Sequence, residues 1–327
     1  MDLKEIGFYT LSNERVENTS CTSQMKRCEM IITEYCNFKC PYCRGLKPEI
    51  YGERRIKQLS LDEIKHNIDL WCKNEPLENI RFSGGEPTLH KDIEKIIKYA
   101  HDSGIKRIAI STNGSNDMNL YKRLIKAGVN DISVSLDACC AEDGDTMAGD
   151  VKGSWNIVIK NIAEISKLTY VTVGVVLTPS NIDKTIDTIR LAHSLGVADI
   201  RIISAAQWNK PIPRLNEVEN EIVNAHPILK YRIKHFAEGR NVRGMISTDS
   251  CKCALVLDDS VIAGDYHFPC VIYMREKGEP IGIVSETMRA ERADWFKTHD
   301  CFKDKICKDN CLDVCIDYNN KYREFHD

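Results

Sequence analysis

Cys36-Asn37-Phe38-Lys39-Cys40-Pro41-Tyr42-Cys43 sets three cysteines in one short loop at a C-x3-C-x2-C spacing. Three thiolates this close can each hold one iron of a cubane [4Fe–4S] cluster, whose full complement is four cysteines. A three-cysteine loop therefore leaves one iron with an open position for a small molecule. Zinc is the competing occupant, although a zinc knuckle usually joins two C-x2-C pairs, and no second pair lies near Cys40 and Cys43. Buried thiols that are merely neighbours in sequence are the plainest alternative.

Outward from this loop the chain alternates between two periods. Apolar runs rich in Ile and Val occur at Glu29–Thr33, Asn79–Ser83, Lys106–Ser111, Asp131–Leu136, Tyr170–Leu177 and Asp199–Ile203, and read as buried strands. Helical patterns lie between them. Ser60-Leu61-Asp62-Glu63 has capping-box spacing and opens Leu61–Lys73. His90–His101 follows with Ile93, Ile96 and Ile97 on one face, then Leu120–Lys126 and Ile182–Ser194. Helix, glycine, strand recurs at Gly104, Gly128 and Gly196. Such a repeat is α/β, with parallel strands joined by right-handed crossovers. Six strands between residues 28 and 207 suit a partial (β/α)6 TIM-like barrel better than a full eight-unit barrel of about 250 residues. An open doubly wound sheet is the alternative.

A chain of 327 residues suggests about two domains. Past Pro211 and Pro213 the pattern changes: Glu217–Glu238 reads as polar helix interrupted at Pro227, and from about residue 245 cysteines are dense and strands short. The expected division is an N-terminal extension 1–27, a barrel 28–215, a helical linker 216–245 and a small cysteine-rich C-terminal domain 246–327. With 43% hydrophobic and 28% charged residues the core is large enough to need no disulfide staples. The fifteen cysteines then read as metal-bound thiolates in a reducing cytoplasm. The first residues lack a basic region followed by an apolar run, and no apolar stretch approaches ~18 residues, so neither a secretory signal nor a membrane helix is expected. A net charge of −3 gives no overall attraction to nucleic acid.

Functional groups of parallel α/β barrels collect at the C-terminal ends of the strands. There the second strand runs into Ser83-Gly84-Gly85-Glu86-Pro87, whose paired glycines allow close approach of a ligand. Alone this is an ordinary turn. One βα unit after the cysteine loop, it resembles the radical S-adenosylmethionine (SAM) enzymes, and the resemblance covers roughly residues 28–207. It implies that Cys36, Cys40 and Cys43 hold the cluster and that SAM chelates the open iron. Gly84, Gly85 and Glu86 would hold the methionine amino group. Asn113 in Ser111-Thr112-Asn113-Gly114, and Ser135 and Asp137 at the end of the fourth strand, would contact its ribose or methionine part, and Tyr42 would lie near adenine. Without the resemblance these are strand-end polar residues capping the next turn. The implied chemistry is reductive cleavage of SAM to methionine and a 5′-deoxyadenosyl radical, which takes a hydrogen atom from the substrate. The electron would come from a flavodoxin or ferredoxin, and the protein supplies binding and shielding.

Cys139 and Cys140 follow the fourth strand. A thiol at the mouth can donate a hydrogen atom to a substrate radical, as an epimerase requires; packed thiols are the plainer reading. Cys72, among Ile64, Ile68 and Trp71, reads as core. Seven more cysteines follow, Cys251, Cys253, Cys270, Cys301, Cys307, Cys311 and Cys315. Gly264 with Pro269-Cys270, and the C-x5-C-x3-C run from Cys301, resemble the SPASM or twitch extension of radical SAM enzymes, which binds auxiliary clusters. The full SPASM pattern has a cysteine where this chain has Thr298, and Cys315 follows Cys311 by only four positions. One or two auxiliary iron–sulfur clusters are implied, with structural zinc as the alternative. Tyr266, His267, Asp313 and Asp317 are candidate supporting partners or replacement ligands.

The resemblance makes a peptide the leading substrate class, for epimerisation or crosslinking. Residues 1–27 leave no room for a winged recognition domain, so a peptide would need another docking surface or a separate recognition protein. A small metabolite or nucleotide is the second class, with Arg81, Arg201, Lys210 and Arg214 available to phosphate or carboxylate. An iron–sulfur protein for electron transfer or redox sensing accounts for the cysteines but not for Gly84-Gly85-Glu86-Pro87 or the barrel. A zinc-stabilised binding module is the third class.

Overall fold

The six apolar runs fold as parallel strands: β1 (Arg27–Thr33), β2 (Asn79–Gly84), β3 (Arg107–Thr112), β4 (Asp131–Ser135), β5 (Tyr170–Leu177) and β6 (Asp199–Ser204). The computed structural model describes residues 12–44, 58–206, 208–210 and 213–326; Pro211, read above as a break in the pattern, lies outside them. The strands stand side by side in the order β6-β5-β4-β3-β2-β1. A doubly wound sheet reverses its order after the first strands and takes helices on both faces. Here the order never reverses, so right-handed crossovers carry every helix to one face and leave the other as a lumen. That is a partial (β/α)6 barrel.

Helix α1 (Asn13–Glu17) precedes β1 and packs its Val16 against residues of the C-terminal tail; the helices of the outer face are α2 (Leu61–Cys72), α3 (Ile93–Asp102), α4 (Met118–Ala127), α5 (Ala141–Met147), α6 (Ser154–Ile165), α7 (Thr185–Ser194), α8 (Asn220–Ala225) and α9 (Pro227–Ala237). Ser60 and Glu63 form the expected capping box of α2. Ile64, Ile68 and Trp71 of α2 pack with Ile93, Ile96 and Ile97 of α3 on the strands, while Cys72 is only half-buried. Three expected starts move. Helix α3 begins at Ile93, because Pro87–Leu89 forms a separate 3-10 turn capped by Glu86. Asp117 starts α4 earlier by accepting from Asn119 N. Ile182–Lys184 is a 3-10 turn ahead of α7. The sequence reading was silent on α5 and α6; Asp145 of α5 reaches the start of α6, where its carboxylate accepts from Gly153 N and Trp155 N, at 2.6 and 2.9 Å.

The cysteine-rich tail supplies β7 (Asp259–Ala263), β8 (Tyr266–Phe268), α10 (Val271–Arg275), β9 (Gly282–Ile283), α11 (Met288–Thr298), α12 (Lys305–Asn310) and α13 (Asp313–His326). Strand β7 lies parallel to β1, Arg27 opposite Asp259 and Ile31 opposite Ala263, and β8 and β9 follow antiparallel. The barrel sheet therefore runs on into residues of the 246–327 segment. The edge of β1 finds its hydrogen-bond partners there instead of standing open. Residues before β1 also reach the tail: Arg15 Nε donates to Asp258 at 2.5 Å, and Thr19 and Tyr318 hydroxyls meet at 2.6 Å. Among the described residues no helix is long and apolar enough to cross a membrane.

The lumen is polar. Arg27 pairs with Asp259 at 2.5 Å, and Glu29 accepts from the Ser83 hydroxyl at 2.7 Å. Arg81 and Arg107 share the Asp131 carboxylate at 3.2 and 3.0 Å.

Candidate active site

The cysteine loop leaves β1 at Thr33, and β2 is strapped to its root. Gly85 N donates to Thr33 O and Glu86 N to Tyr35 O, both at 2.8 Å. A Cβ on Gly84, at φ +145°, would stand 2.1 Å from Thr33 O, and one on Gly85 2.3 Å from Tyr35 O. The paired glycines thus admit the chain's own loop. Glu86 is buried, and its carboxylate accepts from Thr112 Oγ1 (2.7 Å), Thr88 Oγ1 (2.6 Å), Thr88 N (3.1 Å) and Asn113 N (2.6 Å). Burial raises its pKa against these donors. With its oxygens taken up by the protein, Glu86 ties the end of β2 to the end of β3.

Asn113 is thereby aimed at the loop. Its Nδ2 donates to Asn37 Oδ1 at 2.9 Å and lies 3.9 Å from Cys36 Sγ. Tyr42 donates its hydroxyl to Asp137 Oδ2 at 2.5 Å, and Asp137 Oδ1 accepts from Val176 N at 2.6 Å. The loop is so clamped to the ends of β4 and β5, and burial lifts the Asp137 carboxyl to about 6. Arg44 pairs with Glu276 just past α10 at 2.5 Å, which ties the far end of the loop to the tail. Ser135 stands exposed at the end of β4.

All fifteen cysteines are free thiols. Cys36, Cys40 and Cys43 are half-buried and converge. Burial raises the Cys36 and Cys40 thiols, the latter to about 12, and each feels Cys43 as a like charge. Crowded thiols such as Cys36 and Cys40, which resist ionisation in isolation, are what a bound cation converts to thiolates, so the loop fits a cluster. Cys139 and Cys140 are half-buried beyond β4, and Cys140 donates its S–H to Asp143 Oδ2 at 3.2 Å.

A second group of thiols gathers in the tail. A cavity of about 180 Å³ is bordered by Cys253, Cys270, Cys301, Cys307, Cys311 and Cys315, and by Arg27, Glu29, Arg201 and Asp259 of the barrel sheet. It is far roomier than the ~15 Å³ a water needs, and it opens toward the lumen. Burial pushes the Cys270 thiol up to about 11 and raises Cys253, Cys311 and Cys315 as well, with further pressure from one another. Cys251 is exposed and does not border this cavity.

The other candidates near the tail are engaged elsewhere. Asp313 holds Arg232 and His235, and Asp317 holds Tyr231 and Arg240, so both join α9 to α13. His267 bonds Glu291 at 2.8 Å, and Tyr266 is exposed. The sequence reading missed His299, whose ring nitrogen lies 3.6 Å from Cys307 Sγ; outside the cysteine spacing, no sequence signal distinguishes it.

A partial barrel with three converging thiols after β1, and six more around a cavity beside its lumen, defines an iron–sulfur barrel enzyme. The Radical SAM superfamily is matched by residues 30–192. GTP 3′,8-cyclase of Mannheimia succiniciproducens is 35% identical over 142 residues, 42% of this chain and 40% of that protein. The GTP 3′,8-cyclase of Nautilia profundicola is 28% identical over 221 residues, 67% of this chain and 68% of that protein. The chain spans 35–40% of the length of the first three curated relatives it matches. SuiB of Streptococcus suis, solved with its precursor peptide SuiA, shares the fold at TM-score 0.61 and 12% identity, over 94% of this chain and 79% of that one. The chain belongs to the radical SAM superfamily, and its C-terminal region is rich in cysteine. The loop thiols fit the [4Fe–4S] cluster and SAM of that superfamily, and the tail thiols fit auxiliary iron–sulfur centres.

Proposed function

We propose that the enzyme abstracts hydrogen from a small anionic substrate, a phosphorylated or carboxylated metabolite or a nucleotide, seated in the barrel lumen. Arg201 carries this reading. The acids Glu29, Asp131 and Asp259 are engaged by Arg27, Arg81 and Arg107 or by a neighbouring hydroxyl. Arg201 is a further lumen cation: its Nη2 donates to Ser133 Oγ at 3.3 Å, and among the described residues its buried Nε has no hydrogen-bond partner. Burial and the neighbouring Arg81 pull its pKa down to about 10, although the Glu29 and Asp131 carboxylates act the other way. An anion would relieve both the desolvation and the missing hydrogen bond. Arg201 lies opposite Gly174, which in turn pairs with Ser135, so this guanidinium and the proposed SAM contact are two strands apart in one row. Gly174 leaves the space between them open; a Cβ there would come within 3.7 Å of Arg201 Nη2. Lys210 is exposed, and the Arg214 side chain lies outside the described residues.

Bound, the cluster and SAM supply one-electron cleavage and a carbon-centred oxidant for hydrogen abstraction. The chain's residues do the rest. Cys36, Cys40 and Cys43 hold the iron, Gly84 and Gly85 keep the loop against β2, and Asn113, Ser135, Asp137 and Tyr42 frame the SAM position. Arg201 orients the substrate from below. A flavodoxin or ferredoxin is the reductant this reading requires. The test is anaerobic: reconstituted protein, SAM and dithionite, with 5′-deoxyadenosine quantified against a Cys36→Ala control. Nucleotides and phosphorylated metabolites are expected to stimulate its formation, and Arg201→Gln to raise the KM for the active one at least tenfold. Stimulation by peptides alone would overturn the small-anion reading in favour of peptide modification.

A further inference from the structure

Six thiols border the tail cavity, and a cubane cluster takes four. Cys253, Cys270, Cys311 and Cys315 can supply one such set, and all six thiols, Cys301 and Cys307 included, press on one another electrostatically. Cys301 and Cys307 remain, and both stand beside His299. The donor atoms of His299, Cys301 and Cys307 all lie within 4.8 Å of one another, and His299 Nε2 is 3.6 Å from Cys307 Sγ. Two donors bound at 2.0–2.3 Å around a tetrahedral ion stand about 3.5 Å apart.

The surroundings hold these groups in place. The His299 ring is stacked on Trp295, centroids 3.9 Å apart and planes 15° apart. Asp304 Oδ1 caps α12 by accepting from Ile306 N and Cys307 N, which fixes the turn that carries Cys307. Its Oδ2 accepts from the Tyr273 hydroxyl at 2.7 Å and lies 3.6 Å from His299 Nε2. Cys301 is buried, and its N–H donates to Cys251 O at 2.8 Å.

We propose that the iron bound by Cys301 and Cys307 is completed by the imidazole nitrogen of His299, giving the tail an auxiliary centre of mixed nitrogen and sulfur ligation. A neutral imidazole in place of a thiolate leaves the centre less negative and easier to reduce. The inference rests on the tail thiols binding iron–sulfur centres, and the test separates the two. The full chain carrying Cys36→Ala, Cys40→Ala and Cys43→Ala is reconstituted anaerobically with iron and sulfide, so that only tail iron is observed. Pulsed EPR of the reduced centre is compared with and without 15N-histidine. A label-sensitive coupling to directly bound nitrogen is expected, absent from His299→Ala together with part of the iron. His299→Cys is expected to regain the iron without the nitrogen coupling and at a lower reduction potential. A full iron complement with no label-sensitive coupling, or a coupling that persists in His299→Ala, overturns the inference and leaves the auxiliary clusters standing. A tail without iron overturns both.

Discussion

At the scale of single residues, the mouth of the barrel is set by clearance. Gly84 meets the carbonyl of Thr33 with no room for a Cβ, on backbone at φ +145°. Gly84→Ala is expected to destabilise the fold by at least ~2 kcal/mol and to lower the iron held by the β1 loop. Denaturant unfolding and an iron assay check this; unchanged values would mean that the strap yields without disturbing the loop. Two adjacent glycines were legible in the sequence as a site of close approach. What approaches was not, because the neighbour is the backbone of Thr33 and Tyr35, reached only once β1 and β2 pair. Glu86 is a similar case. Its position beside the glycines reads as a ligand contact, but the groups that occupy it, Thr112 and Asn113, come from the next strand end. The three thiols of the loop needed no tertiary information, since their spacing alone keeps them within reach of one cluster.

At the scale of elements, the helices expected from apolar periodicity are present, and some helix starts are fixed by polar groups that periodicity does not register. Helix α6 starts where Asp145 can accept its first amides. Helix α9 starts where Asp199, at the beginning of β6, reaches Ile228 N with both carboxylate oxygens, at 3.1 and 3.0 Å. Asp199 is fully buried, and burial raises its carboxyl to about 6 in spite of these donors. The sign is opposite to that of a salt-bridged acid. The folded chain holds a proton that the unfolded chain has already released, so this contribution to stability is complete below the ordinary carboxylate range near 4. It is lost as the pH rises through 6. Asp199→Asn keeps an acceptor for Ile228 N and has nothing to ionise. Raising the pH from 4 to 7 is therefore expected to shift the stability difference toward the Asn variant, by up to ~3 kcal/mol. Paired melting curves at both pH values measure it; a difference independent of pH would show that Asp199 titrates normally.

At the scale of the whole molecule, the question is whether barrel and tail are separate bodies. The cysteine density past residue 245 marks a change of chemistry, and the sequence division at 246 follows it. Pairing, however, follows strand edges. Strand β7 is short and apolar and carries no signal that its partner is β1, a long way back in the chain, because parallel register is written in neither strand alone. In the structure β7 completes β1 over five residue pairs, Arg27 bonds Asp259 across the seam, and Arg44 bonds Glu276. The cavity of the tail thiols is walled in part by Arg27, Glu29 and Arg201 of the barrel. A tail that opened independently would expose the edge of β1 and strip one wall from that cavity, at the cost of buried ion pairs on both sides. Amides of β7 are therefore expected to exchange with the same opening free energy as those of β1, in one cooperative unit. Native-state hydrogen exchange across a denaturant series tests this. If β7 released its protons several kcal/mol before β1, the seam would be a docking contact, and the tail could carry its centres away from the lumen. Equal protection would mean that substrate, SAM site and auxiliary centres are held by a single sheet.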